Sequence, residues 1–228
     1  MASNESKGET KVIDVMESVY ERNEKLAALF NGTLTGRNVF CVNVLGAPGV
    51  GKTSSLQRII AGLRSPACVI EGDVESDIDT RKLKALGIQA VQINTGGACH
   101  LDAPAVAAAA ESLEFSSGFL FIENIGNLIC PVEFMIGEHI KLLVSAITEG
   151  SDKPYKYPLA FEKADIILLN KYDLSPYVDF DWEFFMAGVR KLNPSVPVFK
   201  VSGKTGEGYG EATAWLRNRA KETIPGIQ

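Results

Sequence analysis

Residues 46–53 are Gly46-Ala47-Pro48-Gly49-Val50-Gly51-Lys52-Thr53, which matches the Walker A pattern of a glycine, four free positions and Gly-Lys-Thr. An apolar, β-branched run precedes this stretch at Val39–Leu45 and predicts a buried strand. After the stretch, Leu56, Ile59 and Ile60 follow at helical spacing. The motif requires this order of strand, glycine loop and helix. A glycine-rich turn that matches the pattern by chance is the alternative.

The glycine loop suits a polyphosphate ligand for physical reasons. Glycines allow backbone amides to turn inward as an anion nest, and the following helix directs its positive N-terminal end at the same charge. We therefore expect residues 46–53 and Ser54 to bind the phosphates of a nucleotide. Lys52 would reach the β- and γ-phosphates and take part in catalysis, and the Thr53 hydroxyl would ligate Mg²⁺.

Length, composition and charge indicate one α/β domain that does not bind nucleic acid. The chain has 228 residues, 46% of them hydrophobic, and a formal net charge of −5. No apolar run is long enough to span a bilayer, and the polar N-terminus lacks the apolar core of a signal peptide. We expect a cytoplasmic protein with no membrane partner, a mobile N-terminus over residues 1–11 and a single P-loop domain with a leading helix over residues 12–228.

The rest of the chain alternates between predicted strands and helices. The leading helix is predicted over residues 12–30 and ends at Asn31-Gly32, and the proline-containing stretch 150–158 is predicted as a loop. Further strands are predicted at 67–73, 90–93, 119–123, 141–146, 164–169 and 196–201, and further helices at 54–60, 80–86, 104–113 and 209–221. This alternation predicts a three-layer α/β fold with a mostly parallel sheet.

Acidic residues follow two of the predicted strands, at the position where open α/β sheets bind ligands. Asp73 and Asp77 come after the second strand, and we assign Asp73 to the Mg²⁺ site and Asp77 to catalysis beside the attacking water. A solvated acidic loop that starts a helix is the alternative for both. Glu123 ends a later strand at the Walker B position, where an acid can hold Mg²⁺ through a water, and the Gly126 amide can meet a γ-phosphate.

Residues 170–173, Asn-Lys-Tyr-Asp, resemble the guanine-specificity motif Asn-Lys-x-Asp of GTPases. The Asp173 carboxylate can accept hydrogen bonds from N1–H and the exocyclic amine of guanine, whereas adenine has no donor at N1. GTP and GDP are therefore the expected nucleotides, with Lys171 along the base and Asn170 tying this loop to the glycine loop. The next strand end carries a stretch that resembles the last GTPase motif, Ser202-Gly203-Lys204. A turn that only caps the strand is the alternative.

A second group of residues suggests a transition metal. Cys99 and His100 follow a predicted strand, and Cys130 follows the Walker B segment; thiolate and imidazole suit Zn²⁺ or Ni²⁺. Three ligands do not complete a tetrahedral site, and a second copy of the chain could supply more. Buried free cysteine is the alternative, and it is the expected state of Cys41 and Cys68.

Together these stretches resemble the HypB family, the nickel-insertion GTPases of hydrogenase maturation, which belong to the SIMIBI class of P-loop GTPases. The likeness extends over nearly the whole chain from the first helix onward. Its carriers are residues 46–53, 71–73, 94–102, 122–131, 152–158 and 170–173. Cys-His-Leu-Asp and Gly-Asn-Leu-Ile-Cys-Pro within these ranges are far more specific than the Walker motifs.

The resemblance implies GTP hydrolysis with Mg²⁺, a homodimer formed or tightened by GTP, and Ni²⁺ or Zn²⁺ held at the dimer interface by Cys99, His100 and Cys130. It also implies two partners, a HypA-like nickel accessory protein and the large subunit of a [NiFe]-hydrogenase. Lys153 or Lys156 could act across the interface. The N-terminal residues carry neither the cysteine motif nor the histidine-rich segment with which some members bind nickel.

Three other functions fit part of this pattern. A urease GTPase would carry Cys-Pro-His as its metal motif, which the sequence lacks. A metal carrier with a vestigial nucleotide site would not need Lys52, Thr53, Glu123 and Asp173. A P-loop kinase is disfavoured by Asp173 and by the lack of an obvious acceptor lid. We interpret the protein as a metal switch, in which GTP draws Gly126 and thereby moves the cysteine loops.

Overall fold

The chain folds around a sheet whose central strand is buried on both faces, as helices on either side require. The computed structural model describes residues 15–73 and 78–227. Its strands are β1 (Val39–Leu45), β2 (Ala67–Asp73), β3 (Gln89–Asn94), β4 (Gly118–Glu123), β5 (Ile140–Ala146), β6 (Ile166–Asn170) and β7 (Val198–Lys200). They lie in the order β3-β2-β4-β1-β5-β6-β7, and neighbouring strands pair in parallel. The predicted α/β fold with a mostly parallel sheet is confirmed.

Helices cover both faces of this sheet and complete the three predicted layers. They are α1 (Val15–Gly36), α2 (Lys52–Gly62), α3 (Ile78–Ala85), α4 (Ala103–Glu111), α5 (Cys130–Glu133), α6 (Lys153–Lys156), α7 (Pro158–Lys163), α8 (Trp182–Leu192) and α9 (Tyr209–Thr223). One face packs on α2, α3 and α9 through a core that includes Leu56, Leu83 and Leu216. The other packs on α1, α4, α7 and α8 through residues such as Leu34 and Phe161. No helix in the described residues is both long and apolar enough to cross a bilayer.

The leading helix extends beyond its predicted C-terminal end. The prediction ended it at Asn31-Gly32, but α1 continues to Gly36. Leu34 is buried in the core, and Asn31 Nδ2 donates to backbone carbonyls of the segment before β5, so tertiary contacts override the local turn signal. Residues 12–14 of the predicted helix and the predicted mobile segment 1–11 lie outside the described residues. The domain boundaries stay a prediction.

The second half of the chain contains more helix than predicted. The loop prediction for residues 150–158 is wrong, because α6 lies within this stretch and α7 begins at its end. Pro154 and Pro158 occupy the first turns of these helices, where a missing N–H breaks no hydrogen bond. Helix α8 lies where no element is predicted; it buries Phe185 and Val189, one helical turn apart, against the sheet.

Parallel strands end together at one edge of the sheet, and this edge carries the predicted site residues. The glycine loop follows β1, Asp73 ends β2, Glu123 ends β4 and Asn170 ends β6. The sheet thus brings together residues that are far apart in the sequence.

Candidate nucleotide and metal site

The glycine loop leads directly into helix α2 and is tied to the end of β6. Gly51 has φ +93°, a left-handed conformation that suits glycine, and α2 begins at Lys52. Asn170 Nδ2 donates to Val50 O at 2.8 Å, which is the link between the two loops that the sequence predicts. A helix N-terminus behind a left-handed glycine turn is an arrangement that binds phosphate.

The side chains of Lys52 and Thr53 lie beside the Walker B acid. Lys52 Nζ donates to Gly46 O at 3.3 Å and is buried. Burial lowers the pKa of Lys52, and the negative charge of nearby carboxylates, Glu123 first among them, opposes that shift. Thr53 Oγ1 donates to Glu123 Oε1 at 3.0 Å. The hydroxyl and the carboxylate that are assigned to Mg²⁺ are therefore in direct contact.

Glu123 carries an unsatisfied oxygen that suits a cation site. Burial raises the pKa of its carboxyl to about 7, and the charge of Lys52 and the hydrogen bond from Thr53 limit that rise. Within the described residues, Glu123 Oε2 is buried and has no hydrogen-bond partner. A buried carboxylate oxygen without a partner is costly in free energy. Mg²⁺ prefers oxygen ligands of this kind and keeps water ligands, so these residues fit the ion.

Asp73 lies at the same edge, and Asp77 falls on residues 74–77, which the structure does not describe. Asp73 is half-buried at the end of β2, and its charge reaches Lys52. Glu71, which is not among the predicted site residues, pairs in register with Glu123 on the neighbouring strand. Burial raises the pKa of Glu71, and Thr80 Oγ1 donates to its Oε2. The signal for Glu71 was an acid near the end of an otherwise apolar strand.

A cavity of about 320 Å³ lies beside the glycine loop, between the two predicted base-binding stretches. Ser202 Oγ donates to Asp173 Oδ1 at 2.7 Å, and Gly203 N donates to Asn170 Oδ1 at 3.0 Å. The lining residues are Gly51, Ser54, Asn170, Lys171, Asp173, Leu174, Gly203 and Lys204. The two stretches thus form one preformed pocket with Asp173 on its wall. The roles of these residues in binding guanine stay a prediction.

The Arg58 side chain contacts the loop that lines this pocket, and none of the sequence motifs includes Arg58. Its Nε donates to Gly203 O at 3.0 Å and its Nη2 donates to Lys204 O at 2.8 Å. The guanidinium group therefore joins helix α2, which begins at the glycine loop, to the loop of Gly203 and Lys204.

Cys99, His100 and Cys130 come together, and Asn127 connects this cluster to the glycine loop, since it forms a β-bridge with Gly46 and donates from Nδ2 to Cys99 O at 3.4 Å. Their ligand atoms lie within 4.8 Å of one another, and Cys99 Sγ is 3.4 Å from His100 Nδ1. The hydrogen bond with Cys130 raises the pKa of the Cys99 thiol, and desolvation adds to the rise. The His100 ring stacks on Phe134 with a centroid distance of 3.8 Å, and desolvation lowers the pKa of His100, which favours the neutral imidazole that binds metals. Two sulfurs and one nitrogen suit Zn²⁺ or Ni²⁺ and leave a fourth position open.

The remaining cysteines and the second histidine have other surroundings. Cys41 and Cys68 are buried free thiols, as predicted, and burial raises the pKa of both. His139 Nδ1 accepts a hydrogen bond from Cys41 N at 2.9 Å, and the ring stacks on Phe40. None of these three side chains belongs to the ligand cluster.

Comparison with known proteins gives consistent matches in sequence and in structure. Residues 40–200 match the family model described as CobW/HypB/UreG, nucleotide-binding domain. Over 214 residues the chain is 44% identical to the hydrogenase maturation factor HypB of Azotobacter vinelandii, covering 92% of this chain and 71% of that protein.

Two solved structures share the fold over most of their length. HypB from Helicobacter pylori, in complex with nickel, matches with a TM-score of 0.85 and 31% identity, covering 89% of this chain and 97% of that one. The hydrogenase maturation factor HypB from Archaeoglobus fulgidus matches with a TM-score of 0.81 and 35% identity, covering 88% of this chain and 99% of that one. These matches confirm the resemblance and the fold class that the sequence predicts.

Proposed function

Because the chain belongs to the CobW/HypB/UreG family, and within it to the hydrogenase maturation factors HypB, we propose that it is a GTP-hydrolysing metallochaperone that helps to insert nickel into [NiFe]-hydrogenase. One observation carries this proposal. The segment that leads to Cys130 packs through Gly126 against the glycine loop, and Cys130 in turn meets Cys99 and His100. A plain GTPase has no use for the ligand cluster, and a plain metal carrier has no use for the adjoining nucleotide pocket.

We assign the nucleotide to the glycine loop and the cavity beside it. The triphosphate would lie along the loop amides with Lys52 at its β- and γ-phosphates, and Asp173 would accept the two guanine donors. Thr53 and Glu123 would hold Mg²⁺, with Asp73 at the neighbouring strand end. When bound, this ion neutralises charge that develops on the phosphate oxygens. Asn170, Lys171, Ser202, Gly203 and Lys204 would complete the base site.

Hydrolysis needs a group that orients the attacking water. Asp77 is our candidate on the sequence, since it follows the second strand at the end where open α/β sheets bind ligands. Lys52 would stabilise the negative charge of the transferred phosphoryl group. Positioning and charge stabilisation are the main contributions a protein makes to phosphoryl transfer, so each residue has a defined role without covalent chemistry.

Gly126 is the proposed sensor of the γ-phosphate. A Cβ atom at this position would lie 2.9 Å from Pro48 Cγ, so the close approach of this backbone to the glycine loop requires glycine. When the γ-phosphate attracts the Gly126 amide, the following segment moves, and Cys130 at the start of α5 moves with it. GTP and GDP would therefore set different geometries at the metal ligands.

The open fourth position of the metal site favours a second copy of the chain. We propose a GTP-tightened homodimer in which the cysteine clusters of the two chains face each other across a two-fold axis. Lys153 is 16% exposed and pairs with Glu149 at 3.0 Å, whereas Lys156 is 63% exposed and pairs with Asp152 at 2.5 Å. Lys156 is thus the more accessible candidate for a contact across the interface. A HypA-like accessory protein and the large subunit of a [NiFe]-hydrogenase would be the partners in nickel transfer.

The proposal is tested by measuring nickel affinity in two nucleotide states. With GDP and with a non-hydrolysable GTP analogue, we expect affinities that differ by about tenfold, a typical coupling between sites. Cys130→Ser should abolish nickel binding at the cysteine cluster. Lys52→Ala should abolish GTP turnover in a parallel assay. Sedimentation with GDP and with the GTP analogue measures whether the chain forms a dimer in each nucleotide state. A zinc titration compares the affinity for Zn²⁺ with that for Ni²⁺. Equal nickel affinities in both states would contradict the proposed switch.

A further inference from the structure

One buried side chain joins the nucleotide-sensing segment to the metal loop. Asn124 is 1% exposed, and its Oδ1 accepts hydrogen bonds from Ile125 N at 2.9 Å and from Leu101 N at 3.4 Å. Ile125 immediately precedes Gly126, and Leu101 immediately follows His100. A single amide oxygen therefore holds the backbones of both functional segments.

A buried network fixes the orientation of this amide. Asn124 Nδ2 donates to Asn43 Oδ1 at 3.2 Å, so Oδ1 is the atom that faces the two backbone amides. Asn43, fully buried in β1, donates from Nδ2 to Glu138 Oε1 at 3.3 Å, and the same oxygen binds Lys141 Nζ at 2.6 Å. Rotation of the Asn124 side chain would leave several buried polar groups unpaired, which makes the link stiff.

The far end of the link is a packed residue. Leu101 is 1% exposed and fills the space above β2 so closely that a Cβ at Gly72 would stand 2.8 Å from Leu101 Cδ1. Cys99, two residues earlier, is exposed. The link therefore ends at the backbone of Leu101, which is held by the buried side chain of that residue and immediately follows the ligand His100.

We propose that Asn124 is the positioning residue through which the nucleotide state acts on the Cys99–His100 side of the nickel site. When the segment of Ile125 and Gly126 is drawn to the γ-phosphate, the Asn124 amide transmits the displacement to Leu101 and through the backbone to His100. The inference rests on the proposed function, because it requires that GTP and nickel bind to the same protein and influence each other.

The test is the ratio of nickel affinities with the GTP analogue and with GDP, measured for the wild-type protein and for Asn124→Ala. Starting from a wild-type ratio of about tenfold, we expect the variant's ratio to fall to about threefold while it still binds GTP, because the Cys130 segment would still follow Gly126. A merely structural role would weaken nickel binding equally in both states and leave the ratio unchanged. Asn193→Ala is the matched control, since Asn193 donates to backbone carbonyls of the α7 region and should not alter the ratio.

Hydrogen exchange of the wild-type protein gives a second readout that does not depend on whether a variant folds. The exchange rates of the Leu101 and Ile125 amides should change together when GDP is replaced by the GTP analogue. A change at Ile125 alone, or a wild-type ratio in Asn124→Ala, would overturn this inference and leave the proposed function intact. A ratio of one in the wild-type protein itself would overturn both.

Discussion

Replacing Glu123 with glutamine should stabilise the nucleotide-free protein at pH 8 and have little effect at pH 4. Burial raises the pKa of the Glu123 carboxyl to about 7, from 4.5 for an unburied glutamate. Below pH 4.5 the carboxyl is protonated in the folded and the unfolded state. Wild-type Glu123 and the glutamine of the variant are then both uncharged, so the two proteins should be about equally stable. As the pH rises from 4.5 to 7, the unfolded chain releases its proton first, and the wild-type protein loses stability. Above pH 7 the loss is complete and amounts to about 3 kcal/mol.

The magnitude follows from the surroundings of the carboxylate. Glu123 Oε2 has no hydrogen-bond partner within the described residues, so ionisation puts an only partly compensated charge into the interior. Lys52 and Thr53 already limit the penalty, because their effects are included in the pKa of about 7. With magnesium and GDP present, the advantage of the variant should shrink, since only the carboxylate gains a cation.

The assay is urea unfolding of both proteins from pH 4 to pH 8 in the presence of a chelator. Glu138→Gln is the matched control, because Glu138 is equally buried but pairs with Lys141 at 2.6 Å. Breaking that pair should destabilise the protein by about 3 kcal/mol at pH 8. A Glu123→Gln variant that is less stable than wild type at pH 8, or whose advantage does not depend on pH, would refute the reasoning.

Three further predictions concern the base pocket and the sheet. Asp173→Asn should weaken GTP binding about 100-fold, because two hydrogen bonds to a charged acceptor are lost; competition with a fluorescent GDP measures it. Arg58→Ala removes the donors to the carbonyls of Gly203 and Lys204, so the KM for GTP should rise roughly fivefold in steady-state kinetics, with kcat unchanged. Gly118→Ala should lower stability by about 2 kcal/mol in thermal unfolding, because Gly118 has φ +111° and an added Cβ would clash with a backbone carbonyl before β2.

The strands were predictable because their positions depend on local pattern. Strands β1 and β4 are buried on both faces and therefore appear as mostly apolar runs, interrupted by Asn43 in β1 and ended by Glu123 in β4, which the sequence displays directly. The end of α1 was not predictable in this way, since Leu34 continues the helix only through its contact with the core. Helix α6 was missed because Pro154 and its neighbours resemble a loop when the helix start is not known.

The residues of the candidate site also differ in whether a local sequence pattern indicates them. Lys52, Thr53 and Asp173 stand in motifs whose spacing encodes their chemistry, so the sequence identifies them. Arg58 and Asn124 act on backbone groups that are distant in the chain, and no local pattern records such partners. Asn170 shows the limit of this difference, because it ties the β6 end to the glycine loop as predicted and it stands inside a known motif. Positioning residues outside the motifs are the ones that sequence reasoning misses.

The strand order gives the metal site a position that no single loop could provide. The Cys99–His100 loop follows β3 and the Cys130 segment follows β4, while β2 lies between these strands in the sheet. Neighbouring strands are about 4.8 Å apart, so the two strands before these segments lie about 10 Å apart, and the chain has to cross the width of β2 for the ligand atoms to come within 4.8 Å of one another. The strand beneath them ends at Asp73, which is assigned to the magnesium site. In the proposed switch, a nucleotide that moves the Gly126 segment would therefore change the distance between the two halves of the metal site.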